Sequence, residues 1–256
     1  MIYINYVNDP GNSSLGNHLF QYCIGRILAE KYERWLECEP LKNFPNTTKL
    51  IGYGYIGPWH HLTGHILDEE SLPIDWPWIV DGFFQRYEYY KPYKEQIRND
   101  WLKTVDVFPA KKFCNIHLRL TDYLEHNQTI ALDYYVKCVK LRQAELSEKD
   151  KITIVHIITD DSNHPLCKEL IDRLGEIDGI LEVCAITRDD EFEDFLAIQA
   201  ADTIILSQST FGWWAAFLSK ASRIYFPVSK HGYWSEERPD IDLWVDDEDR
   251  YVKVEE

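Results

Sequence analysis

The sequence lacks the features that mark several large classes of protein. No stretch approaches the roughly 18 uncharged apolar residues that a membrane-spanning helix needs, and no basic segment followed by an apolar run marks a signal peptide. The six cysteines are dispersed and form no CxxC pair, so neither a disulfide framework nor a thiolate metal site is indicated. We therefore expect buried, reduced thiols and no membrane span.

Basic residues are also scarce. The chain of 256 residues holds 27 Lys and Arg against 43 Asp and Glu, which gives a net charge of −16. Binding to a nucleic acid needs a basic face, so nucleic acid is not an expected partner. A small anionic ligand remains compatible with the composition if its pocket is locally positive. The chain has 9 Trp, 16 Tyr and 11 Phe, enough to build a substantial core.

Short apolar runs alternate with amphipathic segments, which predicts an α/β fold with parallel strands. In the N-terminal half we predict strands at 2–7 and 79–84 and helices at 18–32 and 91–102. In the C-terminal half we predict strands at 113–120, 152–159, 181–186, 203–207 and 223–227 and helices at 132–146, 165–174, 189–200 and 212–219. The pattern indicates two α/β domains, residues 1–110 and 111–256, with a cleft between them.

Polar residues interrupt the strand predicted at 113–120. Side chains alternate between the two faces of a strand, so Asn115, His117 and Arg119 share one face. A central strand of a covered sheet is normally apolar on both faces, and an unpaired buried guanidinium is very costly. An arginine here suits a phosphate, because its planar fork donates two hydrogen bonds. The alternative is an edge strand whose polar residues face solvent.

Two further polar clusters follow predicted strands. Thr159, Asp160 and Asp161 come directly after the apolar run that ends at residue 158, and the two aspartates could bind a metal, orient a base, pair with Arg119 or cap the next helix. Ser209 and Thr210 lie in a hydroxyl-rich turn ahead of an apolar helix. Such a turn offers free amides and the positive end of the helix dipole to an anion, although ordinary N-capping would use one of these hydroxyls.

The absence of common motifs limits the alternatives. The loop Ser14–Asn17, between the first predicted strand and helix, lacks the GxGxxG spacing, and the chain contains no HExxH, GxSxG or GxxxxGK[ST]. A dinucleotide-dependent oxidoreductase is therefore poorly supported, as are a zinc protease, an α/β-hydrolase and a P-loop enzyme.

Taken in order along the chain, the polar clusters resemble the alpha-1,2-fucosyltransferases. The resemblance is carried by the segments Leu15–Tyr22, Gly82–Gln85, His117–Asp122, Thr159–Asp161 and Ser209–Trp214. The HxRxxD and SxFxWW segments are the specific ones. The resemblance implies a GT-B-like fold, in which two Rossmann-like halves face each other across a cleft. It also implies GDP-fucose as donor substrate, no cofactor or metal ion, and inversion at the sugar carbon.

The resemblance implies a role for each matching residue. Arg119 is the implied catalytic residue, which would hold the donor diphosphate together with Ser209 and Thr210. His117 and Asp194 are implied to recognise guanine, because a carboxylate accepts from both donors on that base edge. The other implied donor-side residues are Phe211, Asp160, Asp161, Gly16 and Asn17, and the acceptor-side residues are His18, Gln85 and Glu88. The general base is not identified, and His18, Glu88 and Asp122 are the candidates.

The sequence departs from the family pattern in three places, which involve four residues. Leu120 stands where a second arginine is usual, His18 where a glutamine is usual, and Ser14 and Leu15 where glycines are usual. The expected function is transfer of L-fucose from GDP-fucose to a sugar hydroxyl, in particular the 2-hydroxyl of galactose in a glycan. The missing arginine keeps two alternatives open: a transferase that uses another GDP-sugar, and a non-catalytic glycan-binding relative.

The expected partners are accordingly a nucleotide-sugar donor and a glycan acceptor. Residues 1–110 would form the acceptor-side domain and residues 111–256 the nucleotide-sugar-binding domain. We expect a cytoplasmic protein of microbial or viral type, at most peripheral to a membrane, and the sequence predicts no oligomeric state.

Overall fold

The computed structural model describes residues 1–4, 6, 15–47, 58–126 and 128–256. The chain divides into two compact units. The first unit comprises Met1–Val105 with Asp240–Leu243, and the second comprises Asp106–Pro239 with Trp244–Glu256. The division therefore falls at Val105 rather than at residue 110, and the return of 240–243 to the first unit was not expected from the sequence.

The first unit contains a four-stranded sheet with the strand order β2–β1–β4–β3, and all of its pairs are parallel. Its strands are β1 (Ile2–Ile4), β2 (Leu36–Glu37), β3 (His60–Leu62) and β4 (Trp78–Val80). Its helices are α1 (Leu15–Lys31), α2 (Tyr87–Tyr90) and α3 (Lys94–Gln96), and a π-helical turn, Ile97–Trp101, follows α3. Strands as short as β2 and β3 give no periodic signal, so the sequence did not predict them.

The second unit contains a six-stranded sheet with the order β10–β9–β8–β5–β6–β7, again parallel throughout. Its strands are β5 (Ala110–Leu118), β6 (Ile154–Thr159), β7 (Glu182–Ile186), β8 (Ala201–Ile205), β9 (Arg223–Val228) and β10 (Tyr251–Glu255). Its helices are α4 (Thr121–Glu125), α5 (Leu132–Glu145), α6 (Pro165–Gly175), α7 (Glu191–Gln199) and α8 (Thr210–Leu218). The predicted α/β class with parallel strands is confirmed.

Several predicted bounds differ from the structure. Helix α1 begins at Leu15 rather than at residue 18, and the helix predicted at 91–102 is a series of short helical segments. Strand β5 ends at Leu118 rather than at residue 120. Residues 5 and 7 of the first predicted strand, and Ser14, lie outside the described residues. Among the helices of the described residues, none has both the length and the apolar character needed to cross a membrane.

Strand β5 lies in the interior of the second sheet, between β8 and β6. The alternative of a solvent-facing edge strand is therefore wrong. Cys114, Ile116 and Leu118 belong to the apolar core that also contains residues of α5 and α6. On the other face, Asn115 donates a hydrogen bond to the Ala197 carbonyl in α7. The alternation predicted for β5 thus separates an apolar face from a polar one.

His117 occupies the same polar face and packs against α8, at the point where the helix comes close to the sheet. Its side chain is buried, and its ring centroid lies 5.7 Å from that of Phe211. A Cβ atom on Gly212 would lie 2.5 Å from His117 Nδ1. Helix α8 is apolar after Thr210, and Gly212–Phe217 are all buried, as expected of a helix that is covered over most of its surface. Glycine at position 212 therefore sets how close α8 can come to β5.

Gly212→Ala should lower the free energy of unfolding by about 1–3 kcal/mol, because the new methyl group overpacks a buried contact. Gly175→Ala is the matched control, since a Cβ at this other helical glycine meets nothing within 4 Å. That variant should be neutral or gain up to about 1 kcal/mol from helix propensity. Urea unfolding measures both, and a loss at position 212 no larger than at position 175 would contradict the close approach.

Candidate functional site

Arg119 lies just beyond the carboxyl end of β5, where two carboxylates hold its guanidinium. Nε lies 3.0 Å from Asp122 Oδ1 and 3.4 Å from Asp160 Oδ2, and Nη2 lies 2.9 Å from Asp122 Oδ1. The side chain remains 35% exposed, and Nη1 takes part in none of these contacts. The guanidinium is therefore oriented by the protein and still has donors available for an anionic ligand.

Asp160 also fixes the backbone that follows Arg119. Its Oδ1 accepts a hydrogen bond from the Leu120 amide at 2.9 Å, and its Oδ2 accepts one from the Thr121 hydroxyl at 2.5 Å. These bonds tie the carboxyl end of β6 to the start of α4. Asp160 thus positions the arginine and its supporting turn together.

Asp161 has a different role from its neighbour. Its Oδ1 accepts the Asn163 amide at 2.9 Å, in a local turn. The N-cap of the following helix α6 is His164, whose Nδ1 accepts from the Leu166 amide. Neither aspartate therefore caps α6, and of the acidic pair it is Asp160 that contacts Arg119.

Tyr123 connects Arg119 to the turn ahead of α8. The Arg119 Cζ lies 5.7 Å from the centroid of the Tyr123 ring. The Tyr123 hydroxyl donates a hydrogen bond to the Gln208 carbonyl at 2.9 Å and is also hydrogen-bonded to the Ser209 side chain. Burial raises the pKa of Tyr123, so the hydroxyl remains a proton donor at neutral pH. One side chain thus spans the ends of β5 and β8.

Gln208 anchors the same turn from the other side. Its Nε2 donates to the His231 carbonyl and its Oε1 accepts from the Trp234 amide, each at 2.9 Å. Gly232 lies between them with a φ of 90°, and a Cβ there would be 2.6 Å from Gln208 Oε1. A glycine is needed at this position on both counts. The buried amide therefore holds the loop that follows β9 against the turn.

Helix α8 begins at Thr210, with Ser209 as its N-cap residue. The first bond into the helix runs from the Trp213 amide to the Ser209 carbonyl at 2.9 Å, and no side-chain hydrogen bond caps the helix. The first amides of a helix have no partner within it and lie at the positive end of the dipole. With Arg119 beside the same turn through Tyr123, the arrangement can bind an anion with two charged groups, such as a diphosphate.

His117 lies on β5, two residues before Arg119. Its Nδ1 is 3.0 Å from the Ser207 hydroxyl, and its ring packs on Phe211. Burial lowers the pKa of His117 to about 4, and the charge of Arg119 adds to this shift. The imidazole is therefore neutral at pH 7, with one ring nitrogen hydrogen-bonded to Ser207.

Asp194 lies on α7 and pairs with Arg188, whose Nη1 is 2.6 Å from Asp194 Oδ1. Burial raises the pKa of the Asp194 carboxyl, and Arg188 opposes that shift. The neighbouring Phe195 ring contacts Phe211, and Phe211 in turn contacts His117. Helix α7, which carries Asp194, is thus connected to His117 through the rings of Phe195 and Phe211.

The remaining candidates lie in the first unit: Gly16, Asn17, His18, Gln85 and Glu88. The first three fall in the opening turn of α1. Asn17 Oδ1 accepts a hydrogen bond from Gln85 Nε2 at 3.1 Å, so the structure joins two of the candidates. Glu88 is exposed and pairs with Arg86 at 2.6 Å.

Sequence reasoning missed Tyr123 and Gln208. Tyr123 directly follows Asp122, the last residue of the HxRxxD segment. Helix α4 starts at Thr121, and a prediction of this helix would have suggested that the chain turns back at Tyr123. Gln208 is 2% exposed, which is unusual for a glutamine. Its position at the centre of a polar run was the signal available in the sequence.

Three comparisons with known proteins bear on the chain. The sequence model of glycosyl transferase family 11 matches residues 44–237. A curated Caenorhabditis elegans protein that bears the provisional name of a glycosyltransferase is 22% identical over 183 residues, which are 65% of this chain and 45% of that protein. The chain thus spans less than half the length of this relative.

The third comparison is structural. The solved structure of an Arabidopsis thaliana FUT1 mutant in complex with GDP matches with a TM-score of 0.52 and 11% identity, covering 87% of this chain and 69% of that chain. At this level of identity the likeness concerns the fold, which is GT-B-like.

Tyr123→Phe should weaken binding of pyrophosphate, used here as a probe anion, by about fivefold, because the turn loses one hydrogen bond worth about 1 kcal/mol. Tyr134→Phe is the matched control: its hydroxyl donates to the Tyr225 carbonyl at 3.0 Å in the core. Both variants should lose about 1 kcal/mol in urea unfolding, but only Tyr123→Phe should change the dissociation constant measured by calorimetry. Equal affinities in the two variants would contradict the role given to Tyr123.

Proposed function

The chain belongs to glycosyl transferase family 11, and from this premise we propose that it is an inverting transferase that moves L-fucose from GDP-fucose to a sugar hydroxyl. The acceptor that we propose is the 2-hydroxyl of a galactose in a glycan. One observation supports the proposal: Tyr123 contacts the Arg119 guanidinium with its ring and the Gln208 carbonyl with its hydroxyl, at the carboxyl edge of the second sheet. Ligands of parallel α/β sheets bind at this edge.

The proposed reaction places a growing negative charge where these groups converge. The acceptor oxygen attacks the anomeric carbon of fucose, the bond from that carbon to the β-phosphate oxygen breaks, and GDP leaves with the bonding electrons. Arg119 and the first amides of α8 stabilise the departing diphosphate. Because the guanidinium and these amides direct hydrogen-bond donors at the leaving group, we propose that the donor site works without a metal ion.

The nucleotide end would lie toward α7. A carboxylate suits the two donors on the guanine edge, and Asp194 would share its oxygens between guanine and Arg188. His117, neutral and held by Ser207, and Phe211 would form the wall beside it. In this proposal the second unit binds the nucleotide sugar and the first unit binds the acceptor.

Leu120 stands where a second arginine is usual in the family. Its side chain is 1% exposed and belongs to the apolar core of the second unit. The position therefore contributes to packing, and its backbone amide contributes to the Asp160 anchor. Arg119 would then carry a larger share of the charge stabilisation than in a relative with two arginines.

The acceptor hydroxyl must lose its proton, and Asp122 is poorly suited to receive it. Its Oδ1 accepts from both Nε and Nη2 of Arg119, so we assign Asp122 to positioning the guanidinium. His18 and Glu88 are the other candidates for the base.

Arg119→Ala should abolish turnover, with a loss of at least about a hundredfold in kcat, because the leaving group loses a charged donor. Arg173→Ala is the matched control: that arginine also pairs with two carboxylates of the second unit, Asp133 and Glu169, but lies on α6. Release of GDP from GDP-fucose in the presence of galactose-containing acceptors measures both. Near-normal turnover of Arg119→Ala would refute the assignment.

GDP should raise the thermal unfolding midpoint by about 5 °C or more at a hundredfold excess over its dissociation constant, whereas UDP should not. Transfer assays with GDP-fucose and GDP-mannose then separate the alternatives. Binding of GDP without transfer from either sugar would indicate a non-catalytic relative. Equal shifts with UDP and GDP would contradict the proposed guanine site.

A further inference from the structure

A second group of reactive side chains lies away from the Arg119 site, on strands β6 and β7. His156 of β6 is paired in register with Cys184 of β7, and Glu182 lies two residues before Cys184. Residues two apart on a strand share a face, as do residues that pair across strands. All three side chains, here called the edge triad, therefore project from one face of the sheet.

The ligand atoms of the edge triad converge. The imidazole nitrogen of His156, the carboxylate oxygen of Glu182 and the thiol sulfur of Cys184 all lie within 4.8 Å of one another. A tetrahedral zinc ion with bonds of about 2.0–2.3 Å spaces its ligands by about 3.3–3.8 Å. Closing the triad around an ion thus needs the side chains to move together by no more than about 1.5 Å. Glu182 is exposed and the other two are half-buried, so their rotation meets little resistance.

The other described residues form few polar contacts with the edge triad. Within the described residues, none of its three side chains forms a hydrogen bond or an ion pair with other side chains or with the backbone. The Phe113 ring contacts the His156 ring edge to face at 5.5 Å, which gives the group an apolar wall. Three ligand-type side chains that converge without a hydrogen bond or ion pair to other described groups are available to an external cation, and Arg188 is the nearby positive charge, which helps to lower the pKa of His156.

We propose that the edge triad binds a divalent cation of the zinc class. Imidazole, thiolate and carboxylate are the ligand types that zinc prefers, and three protein ligands leave a fourth position for water. The Cys184 thiol releases its proton to solvent as the ion binds. The edge triad lies away from Arg119 and its carboxylates: His156 precedes Asp160 by four residues, about 13 Å along an extended strand.

The consequence would fall on β7, which is an edge strand of the second sheet. An edge strand is held on one side only and is the first to separate. An ion that links β6 to β7 stabilises the folded state by mass action. The inference concerns the edge of the sheet and does not depend on the proposed transferase function.

Cobalt(II) provides a direct test, because a cobalt–thiolate bond gives a charge-transfer band in the near ultraviolet. Cys184 is the one cysteine that is not buried; Cys23, Cys38, Cys114, Cys138 and Cys167 are all buried. A thiolate band in the folded, reduced full-length protein therefore reports on Cys184. We expect about one equivalent of cobalt to bind with this band and zinc to displace it.

The variants make the test specific. Cys184→Ser should remove the thiolate band, and His156→Gln and Glu182→Gln should each weaken binding at least about tenfold. His61→Gln is the matched control, because His61 also contacts a carboxylate, Asp81, but has no thiol beside it in that contact. It should leave cobalt binding unchanged. The thermal midpoint of each variant without metal verifies folding, and serine is close in size to cysteine at this half-buried position.

Three results would overturn the proposal. They are the absence of a thiolate band in the wild-type protein, equal cobalt affinity in the wild-type protein and Cys184→Ser, and an equal loss of binding in His61→Gln and His156→Gln. A zinc-dependent rise in the thermal midpoint of the wild-type protein, lost in Cys184→Ser, would support it independently of the spectrum.

Discussion

The candidate site of the second unit depends on one constraint: a guanidinium has to be held at the end of a strand that is covered on both faces. The chain meets it by stopping β5 at Leu118 and placing Arg119 in the turn, where Asp122 and Asp160 orient it and solvent still reaches it. Two carboxylates beside one arginine leave no net positive charge in this group. A diphosphate that binds there must therefore gain much of its stabilisation from directed hydrogen bonds and from the amides of α8.

A second layer of contacts makes this arrangement rigid. Tyr123 and Gln208 fix the turn ahead of α8 from two directions, while Gly212 lets the helix approach His117. Each of these residues touches a neighbour that the site needs, and none of them carries a charge. The geometry of the charged group is thus determined by neutral side chains packed behind it.

Much of this unit could be predicted from the sequence, because alternation in a strand is a local property. The separation of Asn115 and His117 from the apolar face of β5 followed from period-two spacing. The direction of the Arg119 side chain could not be predicted in this way, because side chains stop alternating between faces where the strand ends, at Leu118. The division of labour between Asp160 and Asp161 depends on which carboxylate meets the β5–α4 turn, and adjacent acids in a sequence look alike.

Contacts between distant segments account for the rest of what the sequence left open. The bonds of Gln208 to the loop after β9 join residues more than twenty positions apart. Strand β10 was not predicted, because Lys253 and Glu255 interrupt its apolar residues. Charged residues of this kind suit the solvent-exposed edge of a sheet. The half-buried Cys184 was assigned with the other cysteines to the core, since nothing in its own run of sequence shows that β7 lies at an edge.

The segment Asp240–Leu243 limits how the polypeptide can be divided into its two units. Asp242 exchanges backbone hydrogen bonds with Gln85 and Tyr87, so four residues of the first unit interrupt the second unit and are followed by β10. Neither unit is a continuous stretch of polypeptide. A gene fusion that transferred the second unit alone would include residues 240–243, which pack in the first unit. Recombination between relatives therefore has to exchange both units, or keep the two points at which the chain passes between them.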